Sequence, residues 1–194
     1  MKTVVLASAS PRRQELLKQI GLEFDVVVKS VDETLPEGVL AETAVKEVAL
    51  RKARAAAEFY NEGIIIGADT VVVYRGKIMG KPTDFSEAVQ TLKNLSGSEH
   101  KVITGFCVID TLSGKCVTAS ETTRVFFREL AENEIWAYVN SGEPMDKAGS
   151  YGIQGLGAVL VNKIDGCYFN VVGLPLTKLI LTLKEFGIEV LGLG

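Results

Sequence analysis

The sequence predicts an α/β fold: a mixed sheet flanked by helices, arranged in three layers or two lobes. Three observations predict it. Strand-length apolar runs alternate with helix-period segments through the first half of the chain. Strand patterns then cluster after residue 98. No segment is a repeat or of low complexity. The 194 residues favour one domain over 1–194. A chain of that size buries roughly 70% of its unfolded surface without disulfides or a structural metal. With two lobes, a cleft between them would be the natural ligand site.

The elements follow in order. Residues 3–8 read as a strand, followed by a helix over 11–20. Ser10 stands at its N-cap, Pro11 at its first position and Gly21 just past its end. "FDVVVK" (24–29) reads as a second strand and "SVDETLPEGV" (30–39) as a polar loop. Residues 41–61 form a long alanine-rich helix. "IIIGADTVVVYRGKIM" (64–79) is a strong strand that turns at Arg75–Gly76. A helix over 84–95 places Ala88, Leu92 and Leu95 on one face. Two β segments, 99–110 and 115–128, are joined by "TLSGK", and a helix follows over 131–140. The glycine-rich "SGEPMDKAGSYGIQGLGA" (141–158), a strand over 158–164, the turn "IDGCYFNVVG" and a helix over 175–186 complete the chain.

Composition narrows the function. Charged residues are 23%, hydrophobic residues 47% and the net charge is −3, which suggests neither a general nucleic-acid role nor a membrane-surface one. Anion binding must therefore come from local placement of Lys and Arg. The apolar part of "MKTVVLASAS" is only Val4–Ala7, too short for a signal peptide or a membrane span, so a cytoplasmic protein is expected. Cys107, Cys116 and Cys167 are odd in number, lie far apart in the sequence and form no CxxC; buried free thiols are expected. The single histidine, His100, begins a strand after a loop, an ordinary surface setting, and cannot build a His-rich zinc site. Hydrolytic chemistry here rests on carboxylates, lysines and a hard, oxygen-liganded metal.

Several residues break the local pattern. Arg12 and Arg13 put positive charge at the positive end of a helix, which costs about 0.3–1 kcal/mol each. Two solvated arginines are one reading. The other is a phosphate held by the arginines and the free N–H groups of the helix start. Lys52 lies within about 20° of the centre of a stripe through Val45, Val48, Ala49, Ala56 and Phe59. It either snorkels at the edge or meets a buried partner. Asp69 interrupts an apolar strand and needs a cation or several donors, and Gly67 lets another group approach the backbone. Lys81, between Gly80 and Pro82, and Glu33 read in isolation as solvated. In the glycine-rich segment Glu143, Asp146, Lys147, Tyr151 and Gln154 supply polar groups, and the Gln154 amide could read the edge of a base. No Walker A motif and no dinucleotide-binding fingerprint is present.

Taken together, "SASPRRQELL" (8–17), "LRKARA" (50–55), "GADTVV" (67–72), "GKP" (80–82), "HKVITG" (100–105), "YVNSGEPMDKAGSYGIQGLGA" (138–158) and "NVVGLPL" (170–176) resemble the Maf family of nucleotide pyrophosphatases nearly end to end. The resemblance implies an elongated fold like that of inosine-triphosphate pyrophosphatases. It implies hydrolysis of a nucleoside triphosphate to the monophosphate and pyrophosphate, a homodimer and dependence on Mg²⁺ or Mn²⁺. It makes Asp69 the proton acceptor and links Arg12, Thr70 and Gln154 to substrate choice. "DKAGSYGIQG" looks like the branch acting on dTTP and UTP. Some members of the family are tied to arrest of septum formation.

On that footing Glu33 joins Asp69 as a metal ligand, and Ser8, Arg12 and Arg13 hold phosphate oxygens. Lys52 and Lys81 stabilise charge in the transition state. Two other readings stay open: a pyrophosphatase for modified or purine nucleotides, and a nucleotide-binding regulator of division with little turnover.

Overall fold

In a computed structural model that describes residues 2–36 and 38–190, β1 (Val4–Ala7) is buried at all four positions. It pairs in parallel with β2 (Asp25–Val26) and with β3 (Ile64–Tyr74). The remaining strands are β4 (Lys77–Met79), β5 (Glu99–Asp110), β6 (Cys116–Phe127) and β7 (Val161–Asp165). They form one seven-stranded sheet in the order β2-β1-β3-β5-β6-β7, with β4 paired to β3. The sheet is mixed, because β3–β4 and β6–β7 are antiparallel. The helices are α1 (Pro11–Gln19), α2 (Ala41–Ala57), α3 (Phe85–Leu95), α4 (Glu132–Asn140), α5 (Tyr168–Val172) and α6 (Leu176–Lys184). The expected mixed α/β sheet flanked by helices is what the chain forms.

The chain divides into two compact units: residues 1–69, 104–121 and 173–194, and residues 70–103 and 122–172. In the first unit α2 lies against the sheet through its small residues. Ala49, Ala53 and Ala56 are fully buried with Val5, Ile65 and Cys107. Two glycines set how close the helix comes. A β-carbon at Gly67 would lie 2.3 Å from Ala49 O, and one at Gly105 would lie 2.6 Å from Val45 C. In the second unit α3 buries Ala88, Leu92 and Leu95 as its periodicity predicts, packed with Phe127, Ile135 and Tyr138.

Differences from the sequence reading have physical causes. The second strand shrinks to Asp25–Val26 because its partner runs out: Leu6 pairs with Val26, and the chain turns into α1 a few residues later. The long helix ends at Ala57, not 61. Phe59 and Tyr60 donate backbone N–H groups to Ala56 and Ala57 in a tighter turn, and the chain enters β3. Phe59 therefore leaves the apolar stripe: it is exposed, with Lys29 Nζ 3.5 Å from its ring centroid. The last strand starts at Val161, because Gly155–Leu160 winds as 3₁₀ turns. The expected turn "IDGCYFNVVG" contains α5, whose buried Asn170 donates to Val102 O and Thr123 Oγ1 at 3.0 and 2.9 Å.

His100 is not a surface residue. It is 2% exposed, because the alternation of β5 points it inward. Its ring meets Phe127 and Tyr151 edge-on at 5.0 and 5.2 Å, and Nε2 lies 2.7 Å from Tyr151 Oη. Burial pushes its pKa down to about 4, so it is a neutral core residue at ordinary pH. The cysteines also differ from expectation. Cys107 is buried, Cys116 is exposed and Cys167 lies between. β5 and β6 bring the Cys107 and Cys116 sulfurs to 3.7 Å despite their separation in sequence. No helix among the described residues is long and apolar enough to cross a membrane.

Candidate active site

β3 sets the position of the site. β1 pairs with it up to Gly67 and β4 pairs with it from Val72, so residues 68–71 lie between the two pairings. Asp69 shares a strand face with Gly67, the face that α2 covers. Lys52 sits on α2 between Ala49 and Ala53, the two residues that rest on Gly67. The close approach therefore delivers the Lys52 ammonium to the Asp69 carboxylate. Nζ lies 2.9 Å from Asp69 Oδ1, with side-chain exposures of 13% and 14%. The charge on the apolar stripe and the charge in the apolar strand answer each other.

The same ammonium reaches Glu33. Lys52 Nζ lies 2.8 Å from Glu33 Oε2, so one cation joins two carboxylates. Glu33 comes from the loop before α2, and that loop is pinned from the helix. Arg51 donates Nη1 to Asp32 O and Nη2 to Thr34 O, the carbonyls on either side of Glu33. Asp32 Oδ1 accepts the Thr34 N–H at 2.8 Å, which closes the turn. Arg51 was missed in the sequence; its acceptors are main-chain carbonyls, which leave no signature in residue type.

The opening of α1 adjoins this cluster within the first unit. Ser10 is the N-cap residue but makes no side-chain cap. Ser8 Oγ is the hydroxyl in use, accepting from Ser10 N at 3.3 Å and from Arg13 Nη1 at 3.0 Å. Arg13 turns back under its own helix. Nε donates to Gly173 O at 2.8 Å and Nη1 also donates to Ala68 O at 2.9 Å, next to Asp69. Burial lowers its pKa, and the charge of Asp69 opposes that shift. Arg12, one position earlier, is half-buried. Ser8, Arg13, Lys52, Asp69 and Glu33 are thus linked through direct contacts and through the Ala68–Asp69 backbone.

The other predicted residues lie in the second unit. Thr70 follows Asp69 in β3 and is half-buried. Lys81 is exposed, between Gly80 and the buried Pro82. Its loop is tied down by Gly149 N, which donates to Gly80 O at 3.0 Å. Gln154 is half-buried in the glycine-rich segment. Tyr151 belongs to the aromatic core beside His100, and Glu143 faces its own loop. Lys147 Nζ turns to Asp146 Oδ1 at 2.7 Å.

A hard cation fits the carboxylate pair by the chemistry of its donors. Glu33 and Asp69 offer carboxylate oxygens to one positive group, as Mg²⁺ or Mn²⁺ sites do when phosphate oxygens and water supply the other ligands. Among the described residues no cluster of three or more His, Cys, Asp or Glu could hold a metal alone.

Comparison with known proteins identifies the family. A family model described as Maf-like protein matches residues 3–186. A Desulforamulus reducens protein named dTTP/UTP pyrophosphatase is 51% identical over 190 residues, covering 98% of this chain and 100% of that protein. A Pelotomaculum thermopropionicum protein of the same name is 51% identical over 191 residues, covering 98% and 100%. Among solved structures, a HAM1 protein from Coxiella burnetii is similar with a TM-score of 0.52 at 16% identity, over 95% of this chain and 100% of that one. At that identity the likeness shows the fold alone.

Proposed function

This chain belongs to the Maf family, and on that premise we propose that it is a nucleoside triphosphate pyrophosphatase that cleaves dTTP and UTP to the monophosphate and pyrophosphate. The substrate class comes from the relatives. The observation that carries the chemistry is the single ammonium of Lys52 shared by Asp69 and Glu33 beside the start of α1.

The reaction adds water across the bond between the α and β phosphates. Asp69 takes a proton from the attacking water; its carboxylate on β3 is 14% exposed and already balanced by the Lys52 ammonium. Lys52 pairs with that carboxylate and neutralises negative charge that grows on the phosphate oxygens. Ser8, Arg12 and the N–H groups opening α1 hold phosphate oxygens, and Arg13 braces that turn through Ser8 and Ala68. Glu33 and Asp69 would hold a divalent cation. When bound, it would supply positive charge to the phosphates and acidify a water. Lys81 adds charge stabilisation, and Thr70 and Gln154 select the base. The roles of these last three rest on side-chain chemistry and family likeness.

The test is pyrophosphate release from a panel of pyrimidine and purine triphosphates with Mg²⁺ or Mn²⁺, for the wild type and Asp69→Asn. dTTP and UTP are expected to turn over fastest, and Asp69→Asn to lose release while still binding nucleotide. Tight binding with no product from any triphosphate would point to the regulator reading. Near-normal turnover by Asp69→Asn removes it as the base.

A further inference from the structure

The glycine-rich segment after α4 is held by one carboxylate and one hydroxyl, both in the second unit. Glu143 Oε2 accepts the N–H of Leu156 at 2.9 Å, and Oε1 accepts the N–H of Gly157 at 3.0 Å. Tyr138, on the last turns of α4, donates its hydroxyl to Glu143 Oε1 at 3.0 Å. The same hydroxyl accepts the N–H of Gly152 at 3.1 Å. The chain is therefore anchored at 152 and again at 156 and 157. Gln154 sits in the middle of that short bridge.

The two anchors also touch. A β-carbon at Gly157 would lie 2.2 Å from Gly152 O and 2.7 Å from Tyr138 Oη. The bridge closes on itself, so a shift at one end moves the other. Three donors converge on one side chain, and a carboxylate is the group that accepts them all. Burial pushes the Glu143 carboxyl up. The N–H groups of Gly157 and Leu156, the Tyr138 hydroxyl and the charge of Lys147 outweigh that and hold it below its ordinary value.

We propose that Glu143 and Tyr138 are positioning residues that fix Gln154 for selection of thymine and uracil over cytosine and purine bases. The inference rests on the base-reading role proposed for Gln154. Thymine and uracil present a carbonyl acceptor beside a ring N–H donor, whereas cytosine presents an amino donor beside a ring acceptor. A side-chain amide carries one acceptor and one donor group, so it can satisfy either edge if it is free to swing. Discrimination requires that the amide be held, and a backbone fixed on both sides of residue 154 is how this chain holds it. Glutamine at 143 would not serve, because its amino group would face a donor.

The test compares the wild type, Glu143→Gln, Tyr138→Phe and Gln154→Ala, measuring kcat and KM for dTTP, dCTP and dATP by pyrophosphate release. Glu143→Gln is expected to lower the dTTP-to-dCTP ratio of kcat/KM about tenfold and Tyr138→Phe about threefold, mostly through KM for dTTP. A purely structural role predicts an equal loss for every triphosphate. If Gln154→Ala collapses the ratio while both other variants keep it, the positioning inference is overturned and the Gln154 reading stands. If Gln154→Ala keeps the ratio, the reading and the inference fall together. Should Glu143→Gln not fold, Tyr138→Phe decides, since it removes a single hydroxyl.

Discussion

Arg13→Met tests whether the second arginine of α1 braces the fold. Arg13 is 8% exposed and donates to Gly173 O, Ser8 Oγ and Ala68 O at 2.8, 3.0 and 2.9 Å. All three acceptor residues are buried. Methionine fills much of the aliphatic volume but brings no donor. A buried carbonyl left without a donor costs about 1–3 kcal/mol, and two are exposed to that loss here. Removing a buried guanidinium returns part of the cost, because its desolvation is no longer borne. The net expectation is a loss of about 2–4 kcal/mol, a large share of the roughly 5–15 kcal/mol typical of a domain. Urea unfolding followed by circular dichroism measures it, with Ser8→Ala expected to lose about 1 kcal/mol through the same network. If Arg13→Met unfolds within about 0.5 kcal/mol of the wild type, the three hydrogen bonds are not what holds the turn.

Two further outcomes follow from the same structure. Lys52→Met leaves Asp69 and Glu33 without their shared ammonium, and is expected to slow pyrophosphate release about 10²–10³-fold. A loss below about tenfold in single-turnover assays contradicts the role given to Lys52. Asp110 is held at a pKa of about 2, down from 3.8, chiefly by the Lys2 ammonium, with help from Ser113 and the Leu112 and Ser113 N–H groups. A lowered folded-state pKa stabilises the protein above the unfolded value and is lost as pH falls through the folded one. Stability should therefore fall between about pH 4 and pH 2 less steeply in Asp110→Asn than in the wild type. Parallel acid limbs in thermal melts across that range would refute it.

The sequence made the site legible where a residue contradicted its element. Lys52 on an apolar helix stripe and Asp69 in an apolar strand were each anomalous, and they proved to be each other's partner. Glu33 had no such contrast, since an acid in a polar loop is ordinary; only the position of Lys52 gives it meaning. Arg13 stood out by its charge, but its acceptors are at 8, 68 and 173, and two of them are carbonyls that any residue supplies. His100 was misread because a strand's inward face cannot be assigned from its first residue after a loop. The phase of β5 is set by the packing of Phe127 and Tyr151, far along the chain. The strand and helix types were legible from periodicity except at α5, a helix too short to show a period, which read as a turn. The ends of β2 and α2 were not, because the length of β1 and the turn into β3 set them.

Asp69 and Lys52 meet through backbone geometry more than through their mutual attraction. A carboxylate and an ammonium at the surface gain little by pairing, because both are well hydrated and the lysine loses rotamer freedom. Here that loss is reduced, since the helix carrying Lys52 is already fixed by the contact of Ala49 and Ala53 with Gly67. Asp69 is two residues along the same strand, so the period of the sheet turns it to the same face. Lys52 lies within one turn of both alanines, so the pitch of the helix places its stem above that face. A β-carbon at position 67 would meet Ala49 O at 2.3 Å, and α2 could not rest at this height. The smallest residue on the strand therefore sets the reach of the long side chain on the helix, and a charge inside the sheet is tolerated because its counterion arrives with the backbone.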